Sequence, residues 1–162
     1  MQPGTQRAGP FRMMLILGAT IVPARLPATD VTPFTSALQR VIRAGRENFR
    51  PLEGARIEMH PGNISYYEAR LFIPGTTECR VDEQPVRTYS CHWKAAHSGE
   101  PACGRLLEQV AAALPEWLRS DGPAGATFRE HRRYRGIEVS VKPPVRAGST
   151  CVISVAVRPD AR

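Results

Sequence analysis

Apolar residues recur at helical spacing in two stretches of the chain. Thr32 can cap the first helix and Pro33 suits its first position, so residues 32–49 are predicted to be helical. Its apolar face comprises Phe34, Leu38, Val41, Ile42 and Phe49. The second helix is predicted to begin near Pro101 and to end or kink near Leu114, because the ring of Pro115 clashes with the preceding turn. Its apolar face comprises Cys103, Leu106, Leu107, Val110, Ala111, Leu114, Trp117 and Leu118.

Seven other stretches alternate apolar and polar residues, or are short and bounded by turn residues, as strands are. They are residues 55–60, 64–73, 78–82, 87–94, 126–134, 136–142 and 150–158. The predicted order is helix, three or four strands, helix, three strands. This order predicts an α+β fold, a two-layer sandwich in which an antiparallel sheet carries both helices on one face.

Two of the four cysteines fall on neighbouring predicted strands. If residues 79–94 form a hairpin that pairs Val81 with Tyr89, Cys79 lies directly opposite Cys91. Directly opposed positions bring Cβ atoms close to the separation that a disulfide requires. We therefore predict a Cys79–Cys91 disulfide.

The other two cysteines lie on apolar faces of different elements. Cys103 is on the second helix and Cys151 is on the last strand, so a helix packed on the sheet would bury both in one interior. We predict a Cys103–Cys151 disulfide. The alternative is a pair of buried free thiols that behave as small apolar residues.

The N-terminus is typical of a secretory signal peptide. Arg7 and Arg12 precede the apolar run 13–22, and small residues around Ala24 offer a cleavage site, with Ala28 as a second. The run is too short to span a bilayer. Residues 1–24 are thus expected to be a cleaved leader and residues 25–162 a single domain, placed in the periplasm or outside a bacterial cell. The alternative is a buried element of a cytosolic domain.

Composition and charge narrow the class of protein. The 162 residues contain 42% hydrophobic and 23% charged residues, which is ordinary for a globular domain. The net charge is +7, and removal of the leader would lower it by two. The mature chain is expected to contain no integral membrane span.

The sequence contains none of the common catalytic or cofactor-binding motifs. A zinc site built from Cys79, Cys91, His92, His97 and Cys103 lacks the closely spaced ligand pairs of structural zinc sites. Neighbours Cys91 and His92 would also point to opposite faces of a strand. No catalytic residue, metal ligand or cofactor is therefore assigned.

One short segment is densely basic. It comprises Arg129, His131, Arg132, Arg133, Tyr134 and Arg135. Such a segment can bind an anionic partner, including lipid or an acidic protein. It can equally be a solvated edge strand whose charges prevent unwanted strand pairing. Specific nucleic-acid recognition is not expected of an exported protein.

Three functions are compatible with these features. The leading hypothesis is a non-enzymatic exported binding protein, held by disulfides, such as an inhibitor or an immunity-type partner of another protein. The second is a hydrolase-like enzyme, which requires a pocket with convergent polar groups. The third is an envelope protein that binds an anionic component through the basic segment.

Overall fold

The chain folds into two helices and one antiparallel sheet in a computed structural model. The structure describes residues 32–59, 64–83, 86–93, 103–131, 136–144 and 150–158. All of these belong to one compact unit, residues 31–162. The expected leader, residues 1–24, lies outside the described residues.

The elements follow the order helix, four strands, helix, four strands. The first half contains α1 (Pro33–Gly45), β1 (Glu53–Met59), β2 (Ile64–Ala69), β3 (Thr76–Asp82) and β4 (Thr88–Trp93). The second half contains α2 (Gly104–Ala113), β5 (Leu118–Gly122), β6 (Gly125–Arg129), β7 (Ile137–Lys142) and β8 (Cys151–Val157). The strands lie in the order β1-β2-β3-β4-β8-β7-β6-β5, so two antiparallel meanders meet where β4 pairs with β8. The predicted α+β sandwich is confirmed.

One face of the sheet, called here the inner face, is apolar because alternate residues of each strand point to the same side. In β7 the inner residues are buried, whereas the residues between them are partly exposed. Five neighbouring strands, in the spatial order β3, β4, β8, β7 and β6, contribute buried residues to the inner face. These residues are Cys79, Val81, Tyr89, Cys91, Trp93, Cys151, Ile153, Val155, Ile137, Val139, Val141, Ala126 and Phe128. They form one core with the buried residues of both helices.

Contacts from helix α1 fall on this inner face. The ring of Phe34 in α1 meets Trp93 edge to face, with centroids 6.0 Å apart. Near the end of α1, a Cβ added to Gly45 would lie 2.9 Å from Cδ1 of Ile137, so glycine permits the close approach of α1 to β7. The helices also contact each other, because the side-chain amide of Gln39 donates to the carbonyl of Ala113 at 3.3 Å.

Helix α1 is shorter than predicted. It ends at Gly45, and Phe49, which was expected on its apolar face, lies beyond it with a left-handed φ of 60°. The chain turns here because the N–H of Phe49 donates to the carbonyl of Ala44 at 2.8 Å and closes the helix. Phe49 is nevertheless fully buried and stacks on Tyr89, whose hydroxyl donates to the carbonyl of Leu71. Burial raises the pKa of Tyr89.

The second half differs from the prediction by one strand. Helix α2 ends at Ala113, as Pro115 led us to expect, but Trp117 and Leu118 do not continue its apolar face. Leu118 begins β5, an additional strand in which every residue is exposed. Strand β5 forms through backbone pairing with β6, so its side chains show no apolar alternation. Strand β6 ends at Arg129 instead of residue 134.

The predicted hairpin and cysteine pairs are present. Val81 pairs with Tyr89 and Cys79 with Cys91 in the β3–β4 ladder. The two cysteines form a disulfide, with their Cα atoms 4.1 Å apart. Cys103 directly precedes α2 and forms the second disulfide with Cys151, with Cα atoms 5.7 Å apart. The alternative of two free thiols is therefore wrong.

The two disulfides are expected to contribute unequally to stability. Cys103–Cys151 joins residues 48 apart, whereas Cys79–Cys91 joins residues 12 apart. In the chain-entropy model a longer loop restricts the unfolded chain more, so removal should cost about 4 kcal/mol for the first pair and about 3 kcal/mol for the second. Denaturant unfolding of the two double alanine variants tests this order. An equal or larger loss in the Cys79→Ala, Cys91→Ala variant would contradict it.

Candidate functional site

The opposite side of the sheet, called here the outer face, is polar and built largely from small side chains. It presents the strand residues that alternate with the buried ones. At its centre lie β4, β8 and β7, where Ser90, Ser154 and Ser140 each stand between two buried apolar neighbours. Ser140 and Ser154 are half-buried, and Ser90 is buried.

Hydroxyl groups cross this face in a single transverse row. The strand registers pair Ser90 with Ser154, Ser154 with Ser140, Ser140 with Thr127 and Thr127 with Ser120. Five adjacent strands therefore contribute one hydroxyl each. Neighbouring strands are about 4.8 Å apart, so this hydroxyl row extends over about 20 Å. Each hydroxyl can donate and accept a hydrogen bond.

Known sequence motifs do not reveal the hydroxyl row, although the sequence contains a weaker signal for it. Each of Ser90, Ser140 and Ser154 interrupts an apolar alternation, which indicates the exposed side of a strand. Alternation alone does not align residues from strands far apart in sequence, because the sheet order must first be known. The row becomes visible only when β8 is placed between β4 and β7.

Two ion pairs lie beside the row, and the strand registers place their carboxylates on the same flank of it. Arg80 in β3 contacts Asp82 at 3.0 Å, and its guanidinium lies 5.4 Å from the ring centre of Tyr66. The hydroxyl of Ser90 donates to Asp82 at 3.1 Å, which connects this group to the hydroxyl row. Farther along the same flank of the row, Arg129 donates to Glu138 at 3.0 Å.

A shallow groove of about 360 Å³ runs along the outer face toward the β5–β6 hairpin. Four members of the hydroxyl row line it, and Thr88 and Glu138 lie beside them. The groove is open and is bordered by the turn at Pro123 and Ala124. Its lining offers many weak hydrogen-bonding groups spread over a surface, which suits contact with an extended partner.

The predicted basic segment is only partly described. Arg129 and His131 are exposed, whereas Arg132, Arg133, Tyr134 and Arg135 lie outside the described residues. The guanidinium of Arg129 is paired with Glu138, so its charge is partly compensated within the sheet. The anionic-partner surface stays a prediction.

Cys91 and His92 point to opposite faces of β4, as predicted. Cys91 lies on the inner face, whereas Nδ1 of His92, the next residue, lies 2.9 Å from the hydroxyl oxygen of Thr150. All four cysteines are in disulfides, and His97 lies outside the described residues. In the part of the chain that the structure describes, no group of three or more His, Cys, Asp or Glu residues could hold a metal ion.

A second polar cluster lies at the end of β3, around Glu83. Ser65 donates to this carboxylate at 2.8 Å, and Arg56 and Arg87 lie 3.6 and 3.4 Å from it. Arg87 also pairs with Glu53. The hydrogen bond from Ser65, followed by the charge of Arg56, holds the pKa of Glu83 below its usual range. These residues come from β1, β2 and the β3–β4 connection, so the cluster links these three segments at the β1 edge of the sheet.

Replacement of Glu83 should change the acid sensitivity of the fold. A carboxylate whose pKa is lowered by folding stabilises the protein above its unfolded pKa, and this stabilisation is lost as the pH falls through the folded value. Wild type should therefore lose stability as the pH falls from about 4.3, an ordinary glutamate value. Glu83→Gln should be less stable at pH 7 and should lose less below pH 4.3.

Denaturant midpoints measured between pH 2 and 7 test this, with Glu78→Gln, which removes an exposed carboxylate on β3, as the matched control. The control should retain the acid-dependent loss of wild type. Parallel curves for wild type and Glu83→Gln would show that this cluster does not stabilise the fold.

The outer face is thus the candidate functional site, with the hydroxyl row at its centre and two ion pairs beside it. None of the helices in the described part of the chain is both long and apolar enough to cross a membrane. Comparisons with protein-family models, curated proteins and solved structures find no match to this chain.

Proposed function

We propose that this chain is an exported binding protein that uses the outer face of its sheet to bind another protein, as an inhibitor or an immunity-type partner does. The observation that carries the proposal is the hydroxyl row, four members of which line a shallow groove opposite the face that holds the core. A surface of small hydroxyl side chains binds a partner at low entropic cost, because few rotatable bonds become fixed.

The difference in composition between the two faces of the sheet supports this function. The apolar core and both disulfides lie on the inner face, so substitutions among the exposed outer residues should disturb the fold little. The ion pairs Arg80–Asp82 and Arg129–Glu138 provide charge of both signs beside the row. Charges at the rim of an interface select a partner and its orientation.

Export is the second part of the proposal. It is supported by the basic and apolar N-terminal pattern of residues 1–24. The two disulfides also support it, since such bonds persist in oxidising compartments such as the bacterial periplasm.

The mass of the protein recovered from a bacterial periplasm or culture fluid tests export. We expect a chain that begins near Arg25 or Thr29, with all four cysteines resistant to alkylation until a reductant is added. A full-length chain with four reactive thiols would contradict export.

Affinity capture with matched variants tests the binding face. The variant Ser140→Arg, Ser154→Arg places two large charged side chains in the hydroxyl row, where they project to solvent and should spare the core. Ser36→Arg, on the exposed side of α1, controls for the added charge. Captured proteins from host envelope extract and culture fluid are quantified by mass spectrometry.

At least one protein should be retained by wild type and by Ser36→Arg, and about tenfold less by the double variant, because a bulky charge at the centre of an interface excludes the partner. Equal recovery with all three proteins would rule out the outer face. If the captured protein is an enzyme, its inhibition by wild type but not by the double variant identifies an inhibitor.

A further inference from the structure

Strand β5 (Leu118–Gly122) is an edge of the sheet whose two charged residues, Arg119 and Asp121, have opposite signs. All five of its residues are exposed, and in the described part of the chain only β6 pairs with it. The opposite edge, β1, has a register irregularity between Glu53 and Arg56, and such bulges discourage pairing with another strand. Strand β5 pairs with β6 through five residues in continuous register.

The hairpin register determines which backbone groups of β5 face outward. A two-residue loop, Pro123–Ala124, joins Gly122 to Gly125, so these two glycines form a hydrogen-bonded pair. Hydrogen-bonded and non-hydrogen-bonded pairs alternate along an antiparallel ladder. The N–H and C=O groups of Ser120 are therefore directed to β6, and those of Arg119 and Asp121 are directed to the open edge.

We propose that a second copy of this chain pairs with β5 along this edge, antiparallel and with the two-fold axis at Ser120. In this register Arg119 faces Asp121 of the second copy, and the same pair recurs on the other side of the axis. In each Arg119–Asp121 pair, the outward N–H of each residue donates to the outward C=O of the other. The two pairs therefore give four backbone hydrogen bonds. This is the self-complementary contact that a two-fold interface requires.

Charge selects this register over its neighbours. Arg119 and Asp121 lie on the same side of β5, 2.9 Å apart at their nearest atoms, and both are substantially exposed. Across the proposed axis, each carboxylate would also lie beside the guanidinium of the other copy. A register centred on Arg119 would oppose two arginines, and one centred on Asp121 would oppose two aspartates. Like charges directly opposite each other destabilise strand pairing.

The dimer goes beyond the proposed binding function and enlarges the same surface. Joining the two β5 strands would give one sheet of sixteen strands, because each copy contributes its eight-stranded sheet. Ser120 of each copy would lie beside the other, so that the two hydroxyl rows become continuous. The interface is small, so the association should depend on concentration and weaken with salt.

Charge reversal provides the test. Sedimentation velocity of the oxidised full-length protein at low salt, over about three decades of concentration, should show a reversible dimer of wild type. Arg119→Asp and Asp121→Arg should each weaken self-association at least tenfold, because each sets like charges opposite each other. An equimolar mixture of the two variants should dimerise again, because both cross-strand pairs then have opposite charges.

The double variant Arg119→Asp, Asp121→Arg should likewise dimerise. Arg40→Asp, on the exposed face of α1, controls for the change in net charge and should behave as wild type. Recovery of the dimer in the mixture shows that each single variant is folded.

A proline substitution in β5 tests the dimer through its backbone hydrogen bonds instead of its charges. Asp121→Pro removes an outward N–H that β6 does not use, so the single chain should keep its thermal midpoint while the dimer is lost. A wild type that stays monomeric at all concentrations would overturn the proposal. A dimer that persists in Asp121→Pro, or that the mixture of charge variants fails to restore, would also overturn it.

Discussion

The pairing of β4 with β8 determines the rest of the structure. These strands lie at the centre of the sheet and join two halves that are far apart in sequence, with six residue pairs from Thr88–Ala156 to Trp93–Cys151. A slip of one residue would move every side chain of one strand to the other face. The observed register therefore keeps Cys91 and Cys151 in the core and keeps Ser90 and Ser154 on the outer face.

Much of this arrangement follows from local pattern. The hairpin that opposes Cys79 to Cys91 could be predicted because both strands alternate clearly and lie close together in sequence. The pairing of Cys103 with Cys151 followed from two apolar faces that a sandwich must bring together. Strand β5 could not be predicted, because its side chains are all exposed and only its backbone pairs. The hydroxyl row depends on the sheet order, which local pattern leaves open.

The two faces of the sheet differ in the groups that they carry. The inner face holds the apolar core and the disulfides, whereas the outer face carries hydroxyl groups and ion pairs. Substitutions on the outer face should therefore alter binding with little effect on folding, since surface changes away from caps and buried networks are usually small. The edge at β5 extends this surface beyond a single chain.

The disulfide between Cys103 and Cys151 also has a mechanical consequence. It encloses β5, β6 and β7 in a covalent loop, because these strands lie between the two cysteines in the chain. If the chain is stretched from its ends, tension passes directly from Cys103 to Cys151. The three enclosed strands then bear no direct load, and the paired residues of the antiparallel β4–β8 ladder are pulled directly apart instead. An anchored copy of this protein could be pulled at its ends while its hairpin edge keeps its shape.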